Sequence, residues 1–321
     1  MKKKFKMTFN LALLLIWIAL FLFIGIQAPN FFNPNYLISV MLKNIVEIGM
    51  VALPTTMIIV TGGIDLSVGN IMVLSSMLGG LTASAAGNSV AAILVMVITG
   101  GGCGLINGLM ITKAKISPMI TTLATMYLYL GLARGISHGD SIYSFPFANW
   151  MGNTMIGIVP VQIIFFVILA MLFVIVLQKS TFGRKLFAIG LNRDAAAYSG
   201  INVDKALIII YTVCGLVCSL AAFIWLGRFT SVKYDAGTNF NMKVITVVVL
   251  GGTSIAGGVG DMKGTLIGTL IIATLNSGLT VMNIPIDAQT IIQGVVLLIA
   301  LIVFAYANAK AKQKRVIVGS E

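Results

Sequence analysis

Apolar runs of about 20 residues recur along this chain, parted by short polar stretches, and they exclude a water-soluble fold. The run "NLALLLIWIALFLFIGIQ" (10–27) holds no charge at all. A helix of about 20 such residues crosses the hydrocarbon of a bilayer. Charged residues make up 9% of the 321 positions and hydrophobic ones 58%, against about 25% charged in soluble domains. Ten spans are expected, at 11–27, 41–61, 66–87, 90–112, 117–137, 157–178, 205–227, 243–259, 264–283 and 289–308. The eighth is short and glycine-rich, and is read as broken or re-entrant. The fold class is an all-α polytopic membrane protein, a single transmembrane domain over 1–321.

The net charge of +12 does not point to nucleic acid, because the basic residues cluster at the ends of apolar runs. Their placement orients the chain. With the N-terminus inside, 16 of the 21 Lys and Arg fall in cytoplasmic segments, including Lys2, Lys3, Lys4, Lys6, Lys310, Lys312, Lys314 and Arg315. An even number of spans then puts both termini in the cytoplasm. The first segment imitates a signal peptide but lacks a convincing small-x-small cleavage site, so it reads as a retained first helix. Cys103, Cys214 and Cys218 all lie in apolar stretches without metal-ligand partners and read as buried thiols. The one histidine, His138, falls in the longest outer loop and reads as solvated.

The stretch "TGGIDLSVGN" (61–70) breaks the apolar pattern with three glycines and an acid, Asp65. A carboxylate near a span needs pairing, hydration or the interface. Two compatible readings follow. Asp65 caps the helix "LSVGNIMVLSSML", a task Ser67 also suits. Alternatively the break exposes Thr61, Gly62, Gly63, Asp65, Ser67 and Asn70 to a translocation path or gate. A second stretch, "MKVITVVVLGGTSIAGGVGDMKGTLIGTLI" from 242, has the same plan: an apolar helix, a Gly-Gly pair, a small polar patch and another helix. It adds Gly251, Gly252, Thr253 and Ser254 to the candidate path. Paired glycine interruptions in two halves point to a transport pathway, or simply to close helix packing.

The largest inner loop, "KSTFGRKLFAIGLNRDAAAYSGINVDK" (179–205), is too long for a turn. Within it, a nine-residue helix is expected over Asn192, Arg193, Asp194, Ala195, Ala196, Ala197, Tyr198, Ser199 and Gly200. Asn192 caps it, Asp194 lies in its first turn and Gly200 ends it. It is a docking surface, or it lies on the anionic membrane face. No metalloprotease, nucleophile-elbow or phosphate-loop motif occurs. No metal, cofactor or enzymatic activity is expected.

These motifs resemble a family: the permease subunits of ATP-binding-cassette importers for simple sugars, the ribose, xylose, rhamnose and autoinducer-2 group. The resemblance runs from about 29 to 308, through "PNFFNPNYL", "TGGIDLSVG", "TFGRKLFAIGLNRDAAAYSGINV" and "VVVLGGTSIAGGVGDMKGTLIGTLI" in order. It implies that Asp194, Ala195, Ala196 and Gly200 match the family's Glu-Ala-Ala…Gly pattern that docks into the ATPase. It also implies a separate ATPase, an extracytoplasmic sugar-binding protein, a second permease copy or homologue, and the bacterial cytoplasmic membrane. The family's Glu-Leu-Asp before the late motif reads Asn241 to Lys243 here, and "VALPTTMIIVTGGID" (51–65) is nearer the autoinducer-2 and rhamnose permeases than the ribose ones. The alternatives are an ion-coupled secondary transporter, which needs no ATPase, and an integral membrane enzyme, which needs clustered catalytic groups.

Overall fold

The computed structural model describes residues 9–299 and 302. Eight helices are long and apolar enough to cross a membrane. They are α1 (Phe9–Gln27), α2 (Pro34–Val60), α3 (Val68–Ala86), α4 (Ser89–Thr112), α5 (Pro118–Ser137), α7 (Val161–Lys179), α10 (Val203–Phe229) and α12 (Met262–Val281). Two shorter apolar helices, α11 (Phe240–Leu250) and α13 (Ile286–Ile299), fall at the remaining two expected positions. The eighth span differs from expectation in its end. It stops at Leu250 rather than 259, because the glycines that follow unwind the chain. The basic clusters at 2–6 and 310–315, on which the placement of the termini rests, lie outside the described residues.

Connections sort into two ends. At one end Gly258 N–H reaches Val60 O, joining the connections after α2 and α11. The basic pattern assigns this end to the cytoplasm, and it carries two further helices, α8 (Thr181–Leu191) and α9 (Arg193–Tyr198). At the other end, β1 (Ile142–Tyr143) pairs antiparallel with β4 (Ser231–Val232), setting Ile142 opposite Val232. A hairpin of β2 (Met155–Ile156) and β3 (Val159–Pro160) leads into α7. The amphipathic α6 (Pro146–Asn153) lies beside it. His138 is exposed and ends α5 in a left-handed conformation.

The most buried spans are α3, α10 and α12, joined by α2 from Ile45 onward. Lipid tails give no hydrophobic drive for helices to associate, so close backbone approach does the work. Gly100, Gly104 and Gly108 line one face of α4 and press on α10. A Cβ at Gly104 would sit 2.2 Å from Tyr211 O, and one at Gly100 2.3 Å from Gly215 O. Thr56 on α2 and Thr265 on α12 share a hydrogen bond of 2.8 Å between hydroxyls. By contrast α1 and α7 turn apolar side chains such as Phe23 and Ile168 outward, where lipid receives them. The three cysteines are buried and free.

Candidate functional site

The two glycine interruptions fold alike. After α2, Gly63 N–H donates to Ile58 O and Gly62 N–H to Ile59 O. After α11, Thr253 N–H donates to Val248 O and Gly252 N–H to Val249 O. Both are the paired 6→1 and 5→2 bonds of a Schellman ending. Gly62 has φ +80 and Gly252 φ +88, the left-handed conformation that residues with a Cβ avoid. The likeness continues into the next helices. Asp65 Oδ1 accepts from Ser67 N–H at 2.8 Å, and Asp261 Oδ1 accepts from Lys263 N–H at 3.0 Å. The two breaks thus share a local ending geometry, though Asp261 is the N-cap of its helix and Asp65 is not.

Asp65 does not cap α3 in the expected position. The N-cap is Ser67, whose own side chain makes no cap bond. Instead Ser67 Oγ donates to Asp65 Oδ1 at 2.6 Å and accepts from Asn107 Nδ2 at 2.9 Å. Tyr129 Oη continues the chain to Asn107 Oδ1 at 3.3 Å. The unwound backbone is satisfied from neighbouring helices. Thr122 donates to Ile64 O at 3.0 Å and Asn241 to Leu66 O at 3.1 Å; separately, Asn70 on α3 donates to Met126 O on α5 at 2.7 Å. This is what irregular backbone at membrane depth requires. Asp65 Oδ2 and Tyr211 Oη are both buried without a protein partner. Gly63 lacks a positive φ. Its constraint is packing, since a Cβ there would lie 2.7 Å from Tyr211 Oη.

Of the residues expected along a path or gate, Gly63, Asp65, Ser67, Asn70, Gly251, Thr253 and Ser254 are buried; Thr61 and Gly252 are half-buried and Gly62 is exposed. Asn70 lines a cavity of about 270 Å³ with Met126 and Asn241. A larger cavity, about 660 Å³, opens at the end away from the glycine junction, among Asn44, Glu47, Trp225, Arg228, Lys243 and Asn276. Arg228 Nη1 donates to both Glu47 oxygens at 2.9 Å, and Nη2 to Asn44 Oδ1. None of these cavity residues was expected from sequence as part of a site. The signal was Glu47 itself, an acid inside an apolar span, which calls for a partner.

The 179–205 segment holds the expected short helix in a tighter form. Asn192 Oδ1 accepts from Ala195 N–H at 2.9 Å, Asp194 lies in the first turn, and the helix spans six residues, Arg193–Tyr198, rather than nine. Its residues do not share one face. Ala196 is buried against the bundle, while Ala195, Ala197, Tyr198, Ser199 and Gly200 are exposed, Tyr198 by 92%. Before it, α8 wedges into the junction of the two glycine breaks. A Cβ at Gly190 would lie 1.9 Å from Val60 O and 2.5 Å from Gly258 N.

Residues 37–301 match the family model described as branched-chain amino acid transport system / permease component. The chain belongs to this permease family. It is 39% identical over 288 residues to the ribose import permease protein RbsC of Bacillus subtilis (strain 168), covering 88% of both chains. To RbsC of Escherichia coli (strain K12) it is 36% identical, covering 92% of both. To the autoinducer 2 import system permease protein LsrD of Photorhabdus temperata it is 35% identical, covering 92% of this chain and 90% of the relative. No solved structure matches the chain. A permease of this build is a multi-pass membrane protein. Two polar zones in it lie at opposite ends: the cavity of about 660 Å³, and the glycine junction with α8 and α9.

Proposed function

We propose that this permease is the transmembrane subunit of an ATP-binding-cassette importer for a monosaccharide or sugar-derived solute in the bacterial cytoplasmic membrane. The observation that carries the reading is near-full-length similarity to sugar and autoinducer-2 import permeases. The segment at 51–65 favours an autoinducer-2 or rhamnose type, and the identity to ribose permeases supports ribose equally. ATP is hydrolysed on a separate ATPase, which receives α9 in a surface cleft, with Ala197 and Tyr198 as the contacting face. The α8 helix relays that contact to the glycine breaks through Gly190. An extracytoplasmic binding protein delivers the solute at the outer end, and a second copy or homologue completes the path.

The test is co-purification of the ATPase together with solute uptake. Ala197→Arg and Tyr198→Ala leave the permease in the membrane and reduce both ATPase retention and uptake. Ala196→Arg is the wrong probe, because Ala196 packs inward. Uptake that persists without any ATPase would make the protein a secondary transporter and overturn the reading.

A further inference from the structure

The outer cavity has charge left over. Glu47 is 4% exposed and both of its oxygens accept from Arg228, so the two charges cancel within the wall. Asn44 Oδ1 also accepts from Arg228, and Asn44 Nδ2 donates to Ser277 Oγ at 3.1 Å. Asn276 Oδ1 accepts from Gln293 at 2.7 Å, leaving its amide N–H groups as donors on a residue that lines the cavity. Lys243 lines the same space, half-buried. Among the described residues, no carboxylate lies within ion-pair distance of its ammonium. Asp235 and Asp287, nearby in the outer connections, are exposed and line no part of the cavity. The wall thus offers one positive charge without an ion-pair partner among the described residues, and aromatic surface from Trp225 and Phe240. A volume of about 660 Å³ lies in the range of small-molecule sites, about 300–1,000 Å³.

From this geometry we infer that the outer cavity is a solute subsite for a sugar-type molecule carrying an oxyanion group, with Lys243 taking the anion. The aromatic side chains take the apolar face of the ring, and Asn276 donates to ring or hydroxyl oxygens. A partly desolvated ammonium recognises an anion strongly, since hydrogen bonds to charged groups exceed neutral ones. A neutral sugar leaves Lys243 unmatched and loses that contact. The Glu47–Arg228 pair serves as a rigid wall. This inference rests on the importer reading for the direction of traffic, but solute binding is measurable on the permease alone.

The probes are D-glucuronate and D-glucose, which differ at C6 by a carboxylate in place of a hydroxymethyl group. Binding to the purified permease in nanodiscs of uncharged lipid is followed by saturation-transfer NMR. The wild type is expected to bind glucuronate about tenfold more tightly than glucose, with the preference weakening as salt rises. Lys243→Met abolishes the preference for glucuronate over glucose; Lys243→Arg retains it. Equal binding of the two sugars by the wild type overturns the inference without recourse to any variant. A preference that survives in a well-folded Lys243→Met protein also overturns it. ATP-driven uptake of a neutral sugar by a permease without the preference would sink this inference and leave the importer reading standing. The preference without ATPase-dependent uptake would do the reverse.

Discussion

The backbone N–H of Gly258 donates to the carbonyl of Val60 across 2.8 Å, so the glycine break of one half of the permease is tied directly to that of the other. Gly190 of α8 sits against both partners of this bond. Three segments far apart in sequence meet at one point.

The junction has no room for a methyl group at Gly190. Gly190→Ala is expected to lower stability by about 1–3 kcal/mol, the range for overpacking, and to reduce uptake more than ATPase binding. Thermal unfolding in nanodiscs, ATPase co-purification and uptake check it together. Wild-type values in all three would show that the junction has slack.

The neighbouring glycines Gly62 and Gly63 are constrained for different reasons, and mutants separate them. Gly62→Ala meets nothing closer than 3.7 Å but must hold φ +80, for about 1–2 kcal/mol. Gly63→Ala meets Tyr211 Oη, which has no protein partner. Tyr211→Phe removes that oxygen and should rescue Gly63→Ala but not Gly62→Ala. A double-mutant cycle on unfolding free energy reads the difference.

Asp65 works through one oxygen. Asp65→Asn keeps the acceptor for the Ser67 N–H and O–H groups and is expected to lose less than about 1 kcal/mol, while Asp65→Leu leaves both donors buried and loses about 1–3 kcal/mol. If Asp65→Asn unfolds as early as Asp65→Leu, the charge matters and not the hydrogen bonds.

The Glu47–Arg228 pair is buried, with side-chain exposures of 5% and 14%. Glu47→Leu strands a guanidinium and should destabilise by about 3–5 kcal/mol, whereas Glu47→Leu with Arg228→Met should recover most of the loss. Unfolding of the two variants side by side decides it; a double variant no better than the single one would refute the pairing as the cause.

Topology is checked with cysteines. Tyr143 and Tyr198 are 75% and 92% exposed at opposite ends, and the native cysteines are at most 6% exposed, so background labelling is low. A membrane-impermeant maleimide should label Tyr143→Cys in intact cells and Tyr198→Cys only after permeabilisation. The opposite result inverts the orientation read from charge.

The sequence by itself determined the class and the helix positions and marked the glycine breaks, although the span expected to run to 259 stops at Leu250. Each span is a local matter of apolar length, and "TGG" and "LGGT" end helices wherever they are placed because only glycine takes a positive φ cheaply. The cap at Asn192 was legible for the same reason, being a bond to a residue three positions on. What only tertiary structure decided was who meets whom. Asp65 looked like a helix cap, but its Oδ1 is taken up by Ser67, which Asn107 on α4 holds in turn. Ala196 looked like docking surface, but α9 is rotated so that this alanine faces the bundle. Glu47 and Arg228 stand 181 residues apart and form one wall only after α2 and α10 pack side by side. Such pairings are set by the rotation and depth of each helix. Those depend on side-chain packing and close glycine contacts between helices, not on the apolar content that writes the helices into the sequence.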